Sequence, residues 1–402
     1  MKLNKMVINC DIEFDNNPHG VYFSGQKLTG RFTLTVSKVK KIKAVVLKVL
    51  GCASTQWTEI DKSSQIITYH DQRLYLDTNT YLLQAADKSE IITIEPGIHT
   101  YNFTCRIPNN CPSSFEGAYG HIRYVVKVVV LRPWKRNQTF NKAFTVLKVL
   151  DLNYETPLVK MPINLTSEKS HLCNCIKVQP LKIDLHLPRS SFVCGQQIPI
   201  EMSLNHQGNV PVGEIQLCLM MLVDYIAQYP NKKLRNERIV ITKLRDNFEA
   251  KPNLRTFNYL LPIVATPPSC LYTACNLIQI SYVLEVEIKI KGLQKNQLLQ
   301  APLTIGTVPL PNVIQQQPNA TDIRDITILP WLSNDGMPQP EYVEANHILK
   351  VKVGEDEAQK YEVLEEFSPK YPVFIHFKNS LEAGSNEEMN GKTLVDNKST
   401  WL

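Results

Sequence analysis

The stretch HIRYVVKVVV at residues 121–130 recurs in the second half of the chain as QISYVLEVEI at residues 279–288. Three pairs align at one offset of 158 residues: Ile122 with Ile280, Tyr124 with Tyr282, and Val128 with Val286. In both copies apolar residues occupy every second position, a period that is typical of a β-strand with a buried face. The two stretches therefore predict one structural unit that was built twice.

A second repeated block supports the same duplication. YFSGQKLTGRFTLTV at residues 22–36 aligns with FVCGQQIPIEMSLN at residues 192–205 at an offset of 170. The matched pairs are Gly25 with Gly195, Gln26 with Gln196, Leu28 with Ile198, Phe32 with Met202, and Leu34 with Leu204. The two offsets differ by 12, so the first copy carries about twelve extra residues between its blocks, as an inserted loop would.

The fold class predicted from these patterns is all-β, with two tandem immunoglobulin-like β-sandwiches. Turn sequences such as EPG at 95–97 and NHQGN at 205–209 separate the short strands, and few helical periods of useful length occur. We expect a first sandwich at residues 5–152, a linker at 153–176, a second sandwich at 177–308 and a C-terminal tail at 309–402. The Pro/Gln-rich tail is expected to be mostly disordered, with short pieces such as YPVFIHF at 371–377 docking locally.

The cysteines and the first residues indicate a cytosolic protein. Ten cysteines are scattered without the dense framework of small secreted domains, and MKLNKMVINCDIEF has no apolar core that a secretory signal would need. The longest apolar runs are far shorter than the ~20 residues of a membrane-spanning helix. An extracellular immunoglobulin-like adhesion module, which the β pattern alone would permit, is disfavoured for the same reasons.

Charge divides the chain into a basic body and an acidic tail. Residues 309–402 carry a net charge of −7, which leaves residues 1–308 at +13. Such a body attracts anionic lipid headgroups, phosphorylated receptor tails or acidic cargo. The candidate basic contact patch consists of Lys38, Lys40, Lys41, Lys43, Arg132, Lys135 and Arg136. Protection of exposed strand edges by lysine is the alternative explanation of the same residues.

Residues 111–135 carry a family resemblance. CPSSFEGAYGHIRYVVKVVVLRPWK is similar to the Pro-Ser-Ser-Phe-Glu-Gly, Gly-x-Ile-Arg-Tyr and Arg-Pro-Trp elements of the α-arrestins, also called arrestin-domain-containing proteins. FDNNPHGVYFSGQKLTGRFTL at 14–34 resembles the first strands of that family, and the likeness extends over most of residues 5–308. It implies two arrestin sandwiches and a cytosolic adaptor, peripheral at plasma membrane and endosomes, that binds membrane receptors or transporters and directs their endocytosis and endosomal sorting.

The resemblance also implies a tail that recruits WW-domain ubiquitin ligases through Pro-Pro-x-Tyr motifs. Here the nearest match is the degenerate motif Pro338, Pro340 and Tyr342, in which Gln339 replaces the first proline of the pair. Loss of one proline removes contact area and pre-organisation of the polyproline II segment that a WW domain binds. Recruitment of a ligase through this segment is therefore expected to be weak, and a solvated tail peptide is the alternative.

Catalytic, cofactor and metal sites are not indicated. The motifs of zinc peptidases, α/β-hydrolases, phosphate loops and dinucleotide-binding folds are missing, so we expect no enzyme and no cofactor, and no nucleic acid as a partner. His171, Cys173 and Cys175 form a cluster that no second pair completes into a tetrahedral zinc site. The remaining alternative function is a structural subunit of an arrestin-fold sorting coat of the retromer kind, which would hold other coat proteins instead of cargo.

Overall fold

The structure is a computed structural model of the full chain. It describes residues 8–85, 90–169, 172–173, 176–177, 181–206, 212–247, 253–271, 274–291, 295–310, 339–348, 350–353 and 365–374. Within these residues the regular elements are β-strands and one short turn of 3-10 helix at Pro157–Lys160. No helix of the described part is long and apolar enough to cross a bilayer.

The first sandwich is formed by strands up to residue 147. They are β1 (Ile8–Phe14), β2 (Val21–Phe23), β3 (Lys27–Val36), β4 (Lys40–Ile42), β5 (Ala44–Ile60), β6 (Ile66–Gln84), β7 (Ile92–Ile94), β8 (Gly97–Arg106), β9 (Phe115–Gly117), β10 (Gly120–Leu131) and β11 (Gln138–Leu147). One sheet has the order β1-β3-β8 and the other the order β2-β11-β10-β5-β6, with β9 beside β10. Strands β4 and β7 pair separately.

The second sandwich follows the same plan. Its strands are β12 (Ile163–Lys169), β13 (Leu172–Cys173), β14 (Ile176–Lys177), β15 (Leu181–Leu187), β16 (Ser191–Val193), β17 (Gln197–His206), β18 (Val212–Ala227), β19 (Lys233–Asn247), β20 (Asn253–Pro262), β21 (Ile278–Ile290) and β22 (Gln297–Gly306). One sheet has the order β12-β15-β17-β20 and the other the order β16-β22-β21-β18-β19. The all-β fold with two sandwiches is thus confirmed.

The duplication is visible in the sheet topology. The order β2-β11-β10-β5-β6 of the first copy is the order β16-β22-β21-β18-β19 of the second. In both copies the first strand of this order pairs in parallel with the next, whereas the longer strands pair antiparallel. The repeated stretches are β10 and β21, which lie at equivalent places in the middle of these sheets.

The glycine–glutamine pairs of the repeat form the same turn twice. Gly25 and Gly195 adopt φ values of +87° and +92°, which favour glycine because a Cβ would be strained there. In the first turn the Gln26 carboxamide accepts a hydrogen bond from the Phe23 N–H at 2.8 Å, and in the second the Gln196 carboxamide accepts from the Val193 N–H at 3.1 Å. These identical bonds explain why both residue types recur together.

The repeated tyrosines also have one shared role. The Tyr124 hydroxyl donates to the carbonyl of Pro112 at 2.7 Å, and the Tyr282 hydroxyl donates to the carbonyl of Pro267. Both rings are buried, with relative exposures of 0% and 2%. Since a buried hydroxyl needs a hydrogen-bond partner, each tyrosine fixes the segment that precedes its strand onto the sheet.

The predicted linker is only partly a linker. Within residues 153–176, Ile163–Lys169 form β12, which pairs antiparallel with β15 and is an edge strand of the second sandwich. Ile163 and Leu165 are partly buried against the core, whereas Asn164 between them is exposed. This short alternation was too weak to stand out beside the two prolines of the segment, and the pairing depends on the later β15.

The described part of the tail contains four short strands, while most of residues 309–402, which were expected to be mostly disordered, lie outside the described residues. The strands are β23 (Glu341–Glu344), β24 (Val351–Val353), β25 (Glu365–Phe367) and β26 (Lys370–Val373). Tyr371 and Phe374 are buried at 0% and 1% exposure. Docking of the YPVFIHF segment is confirmed for Tyr371–Phe374, because these side chains find apolar surroundings on the body of the protein.

Candidate functional site

Two long hairpins, one from each sandwich, meet at the junction between the domains. The first is β5–β6 with its tip at residues 61–65, and the second is β18–β19 with its tip at residues 228–232. His70 and Tyr229 form a backbone bridge between them, with N–H to carbonyl distances of 2.9 and 3.2 Å. The buried Thr55 hydroxyl adds a 2.8 Å bond to the carbonyl of Ile226. The tip of the second hairpin therefore lies against β6 of the first.

Charged and aromatic side chains hold this junction together. The Arg235 guanidinium lies 3.9 Å from the centre of the Tyr119 ring and donates to the Tyr119 hydroxyl at 3.0 Å. Glu59 forms ion pairs with Lys233 at 3.3 Å and with Arg235 at 3.8 Å. These pairs are partly exposed and screened by solvent, so they orient the hairpins more than they stabilise them.

The tip of the first hairpin is a turn closed by hydrogen bonds. The Asp61 carboxylate accepts hydrogen bonds from the backbone N–H groups of Ser63 and Gln65, both at 2.8 Å. A further bond joins the Asp61 N–H to the Gln65 carbonyl at 2.9 Å. The residues on either side of this turn, Ile60 and Ile66, are each 74% exposed. An ordered turn thus displays two isoleucines to solvent.

Apolar and cationic groups lie together at this place, which we call the junction crest and define as residues 59–70 and 228–235. Its exposed apolar side chains are Ile60, Ile66, Tyr229 and Leu234. Its cations are Lys62, Lys232, Lys233 and Arg235. Ile60 and Ile66 are cross-strand neighbours, and exposed apolar groups that lie together beside charges mark interaction surfaces in folded proteins. Sequence reasoning missed this surface, because its two halves are about 170 residues apart in the chain.

Comparison with known protein families decides the assignment. Residues 10–153 match the family model "Arrestin (or S-antigen), N-terminal domain", and residues 177–310 match "Arrestin (or S-antigen), C-terminal domain". Together the two matches cover more than half of the chain. The chain belongs to the arrestin-domain-containing proteins, the α-arrestins. The resemblance seen in the sequence is thereby confirmed.

Curated relatives align with this arrestin over about three quarters of its length. It is 24% identical over 304 residues to arrestin domain-containing protein 17 of Caenorhabditis elegans, covering 73% of this chain and 69% of the relative. It is 27% identical to arrestin domain-containing protein 4 of Homo sapiens, with 75% and 72% of the two chains covered. Thioredoxin-interacting protein of Rattus norvegicus is also 27% identical, with 76% of each chain covered.

The two halves of the basic contact patch come together in this arrestin fold. Leu131 at the end of β10 pairs with Ala44 at the start of β5, and the Lys43 N–H donates to the Leu131 carbonyl at 2.7 Å. This brings the lysines of residues 38–43 beside the turn at 132–137. Lys38, Lys41, Lys43, Lys135 and Arg136 are exposed, while Lys40 and Arg132 are half-buried. Their role as a contact surface remains a prediction.

The degenerate WW motif lies at the start of the described tail. Pro338 is outside the described residues, Pro340 is half-buried, and Tyr342 lies in β23, which pairs with β26. The Tyr342 ring packs against the core and approaches His19 with 5.8 Å between ring centres, and burial raises the pKa of its hydroxyl to about 12. A WW domain binds an open polyproline II segment, so it would engage this tyrosine only after β23 leaves the sheet.

The eight cysteines whose side chains the structure describes form no disulfides, and six of them are buried. Burial raises the pKa of the Cys194 and Cys270 thiols to about 12, so these thiols are poor nucleophiles. Among the described residues no group of three or more His, Cys, Asp or Glu side chains has the geometry of a metal site. His171 and Cys175 of the sequence cluster lie outside those residues.

Proposed function

We propose that this α-arrestin is an adaptor that binds cytoplasmic segments of membrane receptors or transporters at the junction crest and directs their endocytosis and endosomal sorting. The observation that carries the proposal is the exposure of Ile60 and Ile66 on a hydrogen-bonded turn at the end of the hairpin that contacts the second domain. Pre-organised apolar groups lose little conformational entropy on binding, which favours their use as anchors.

The chemistry of the crest indicates the kind of segment that it would hold. Isoleucine and tyrosine offer apolar area, while Lys62 and Lys232 attract carboxylates or phosphates. An amphipathic cytoplasmic segment with acidic or phosphorylated residues satisfies both requirements. Its binding should weaken as salt is added, because exposed charges are screened within about 8–10 Å at physiological ionic strength.

A paired substitution at the crest tests this function. We expect the Ile60→Asp, Ile66→Asp variant to recover at least about tenfold less membrane cargo when the full chain is purified from cells, since it places charges where apolar anchors are needed. The measurement is quantitative mass spectrometry of co-purified membrane proteins. The matched control is Leu254→Asp with Leu260→Asp, two leucines at 64% and 51% exposure on β20, which lies in the sheet of the second sandwich that does not contain β19. Equal loss in both variants, or none in either, would refute the assignment.

Ubiquitin-ligase recruitment is proposed as a secondary and conditional activity of the tail. It requires Tyr342 to leave β23, so the ligase would engage a form in which this strand is displaced. The cargo-binding activity does not depend on it. We propose that the protein acts at the cytosolic face of the plasma membrane and of endosomes, where such cargo is sorted.

A further inference from the structure

The turn that follows β10 exposes a tryptophan. Trp134 is 89% exposed, whereas indole rings are usually buried or packed. The turn itself is ordered, because the Arg132 N–H donates to the Asn137 side-chain oxygen at 3.2 Å and the Arg132 guanidinium donates to the carbonyl of Arg136. The exposure of the ring is therefore a property of a fixed loop.

The backbone conformation at Trp134 is one that large residues rarely adopt. Its φ is +56°, a left-handed conformation in which bulky residues are rare and glycine or asparagine is usual. Pro133 precedes it and limits the turn to few conformations. A sequence that needed only a turn here would be served better by glycine, so the strained tryptophan indicates a function for the side chain.

Cations lie on the same turn as this ring and on the segment next to it. We call the turn at residues 132–137 and the adjoining segment at residues 38–43 the outer tip. It carries seven lysine and arginine residues. In the described part of the chain none of its five lysines forms an ion pair with a carboxylate. The nearest segment in the fold, around β7, contributes the acidic residues Glu90 and Glu95. Positive charge therefore dominates the tip. Val39, 54% exposed, adds a second apolar side chain.

The outer tip is far from the domain junction. A side chain at Gly120, the first residue of β10, would meet Ile278 of the second domain, and the turn with Trp134 follows the last residue of the same strand. Twelve residues of strand separate these points by about 36 Å. The tip is also where the first copy is longer than the second, in the segments that hold β4 and β7.

We propose that the outer tip is a docking site for anionic membrane surfaces, in which Trp134 and Val39 enter the headgroup region while the lysines face acidic phospholipids. Tryptophan prefers the membrane–water interface, because its ring is apolar and its N–H is polar. Each lysine or arginine near an anionic leaflet adds favourable energy, and one apolar anchor with a basic cluster supplies the two signals that stable peripheral binding requires.

An acidic peptide is the competing occupant, and the structure favours the membrane. A peptide site usually offers a groove or a free strand edge with hydrogen-bonding groups, whereas Trp134 projects from a turn with 89% of its surface open. The lysines are spread over two segments, which suits a broad charged surface. The outer tip lies at the end of the first domain opposite the junction crest, where cargo binding is proposed.

The test is co-sedimentation of the full chain with phosphatidylcholine vesicles, with and without phosphatidylserine. We expect binding that requires phosphatidylserine and falls about tenfold in Trp134→Gly, which removes the anchor and suits the φ of +56°. A Lys41→Ala, Lys135→Ala variant should lose about fivefold per lysine. The matched control is Tyr154→Ala, also 89% exposed but located after the first sandwich, which should bind as the unchanged protein does.

Three results would overturn the proposal. The first is equal sedimentation of the protein with and without phosphatidylserine, and the second is unchanged vesicle binding by Trp134→Gly. The third is that an acidic phosphopeptide displaces the protein from the vesicles and binds the unchanged protein and Trp134→Gly with equal affinity. The crest variant Ile60→Asp, Ile66→Asp distinguishes failure of the proposed membrane docking from failure of the proposed cargo binding. It should still bind the vesicles, and Trp134→Gly should still recover cargo from detergent extracts.

Discussion

Replacing Arg123 with alanine is expected to destabilise the first sandwich by about 3–5 kcal/mol. Arg123 on β10 donates two parallel hydrogen bonds to the Glu116 carboxylate on β9, at 2.7 and 2.8 Å. Glu116 is 3% exposed, so removal of its partner leaves a buried charge without compensation. The measurement is the free energy of unfolding from urea denaturation, with Arg31→Ala as the control. Arg31 pairs with Glu13 on the surface and should cost no more than about 1 kcal/mol.

The loss in Arg123→Ala should depend on pH. Burial raises the pKa of Glu116 above its usual value, even though Arg123 opposes the shift. A carboxyl group whose folded pKa is raised contributes stability below its unfolded pKa and loses that contribution as pH rises through the folded pKa. Without Arg123 the folded pKa rises further, so the variant should be less destabilised near pH 5 than near pH 8. Glu116→Gln added to Arg123→Ala should restore part of the loss, and a pH-independent loss no larger than that of Arg31→Ala would contradict this account.

Tyr371→Ala is expected to detach the docked tail segment and to remove about 3–5 kcal/mol of stabilisation. The Tyr371 ring is fully buried, and its hydroxyl donates to the carbonyl of Ser114 in the first domain at 3.0 Å. Three residues later the Phe374 N–H donates to the carbonyl of Cys194 in the second domain at 3.0 Å. The segment therefore binds both sandwiches, and its release should lower the melting temperature and expose the tail to protease.

A conservative substitution separates the ring from its hydroxyl. Tyr371→Phe retains the buried ring and loses one hydrogen bond, so it should cost about 1 kcal/mol and leave the segment protected. Protease cleavage near residues 365–374 is measured for the unchanged protein and both variants. Cleavage at the same rate in all three, with unchanged melting, would show that the segment does not hold the domains together.

The parts of this fold that local patterns encode could be predicted from the sequence. Tyr124 and Tyr282 lie in alternating stretches of equal length, and a period of two needs no knowledge of distant residues. Gly25 and Gly195 recur because one turn geometry requires glycine at that position. These local signals were enough to indicate the duplication, and with it two sandwiches.

The parts that depend on distant partners could not be predicted. The strand β12 belongs to the second sandwich because it pairs with β15, which follows it in the chain. Tyr371 is buried because it packs beside Ser114, which lies 257 residues earlier in the chain. The junction crest exists because Glu59 and Arg235 meet across the domain interface. Trp134 was read as part of a family element, and its exposure became visible only in the fold.

The most direct test of the central claim is site-specific photocrosslinking in cells from position 66 at the junction crest. A photoreactive amino acid replaces Ile66, and a second form carries it at Leu254 on β20; both side chains are well exposed, at 74% and 64%. The account predicts that position 66, and not position 254, crosslinks to cytoplasmic segments of membrane receptors or transporters. Crosslinks from position 66 to coat proteins at constant stoichiometry, or equal patterns from both positions, would contradict it.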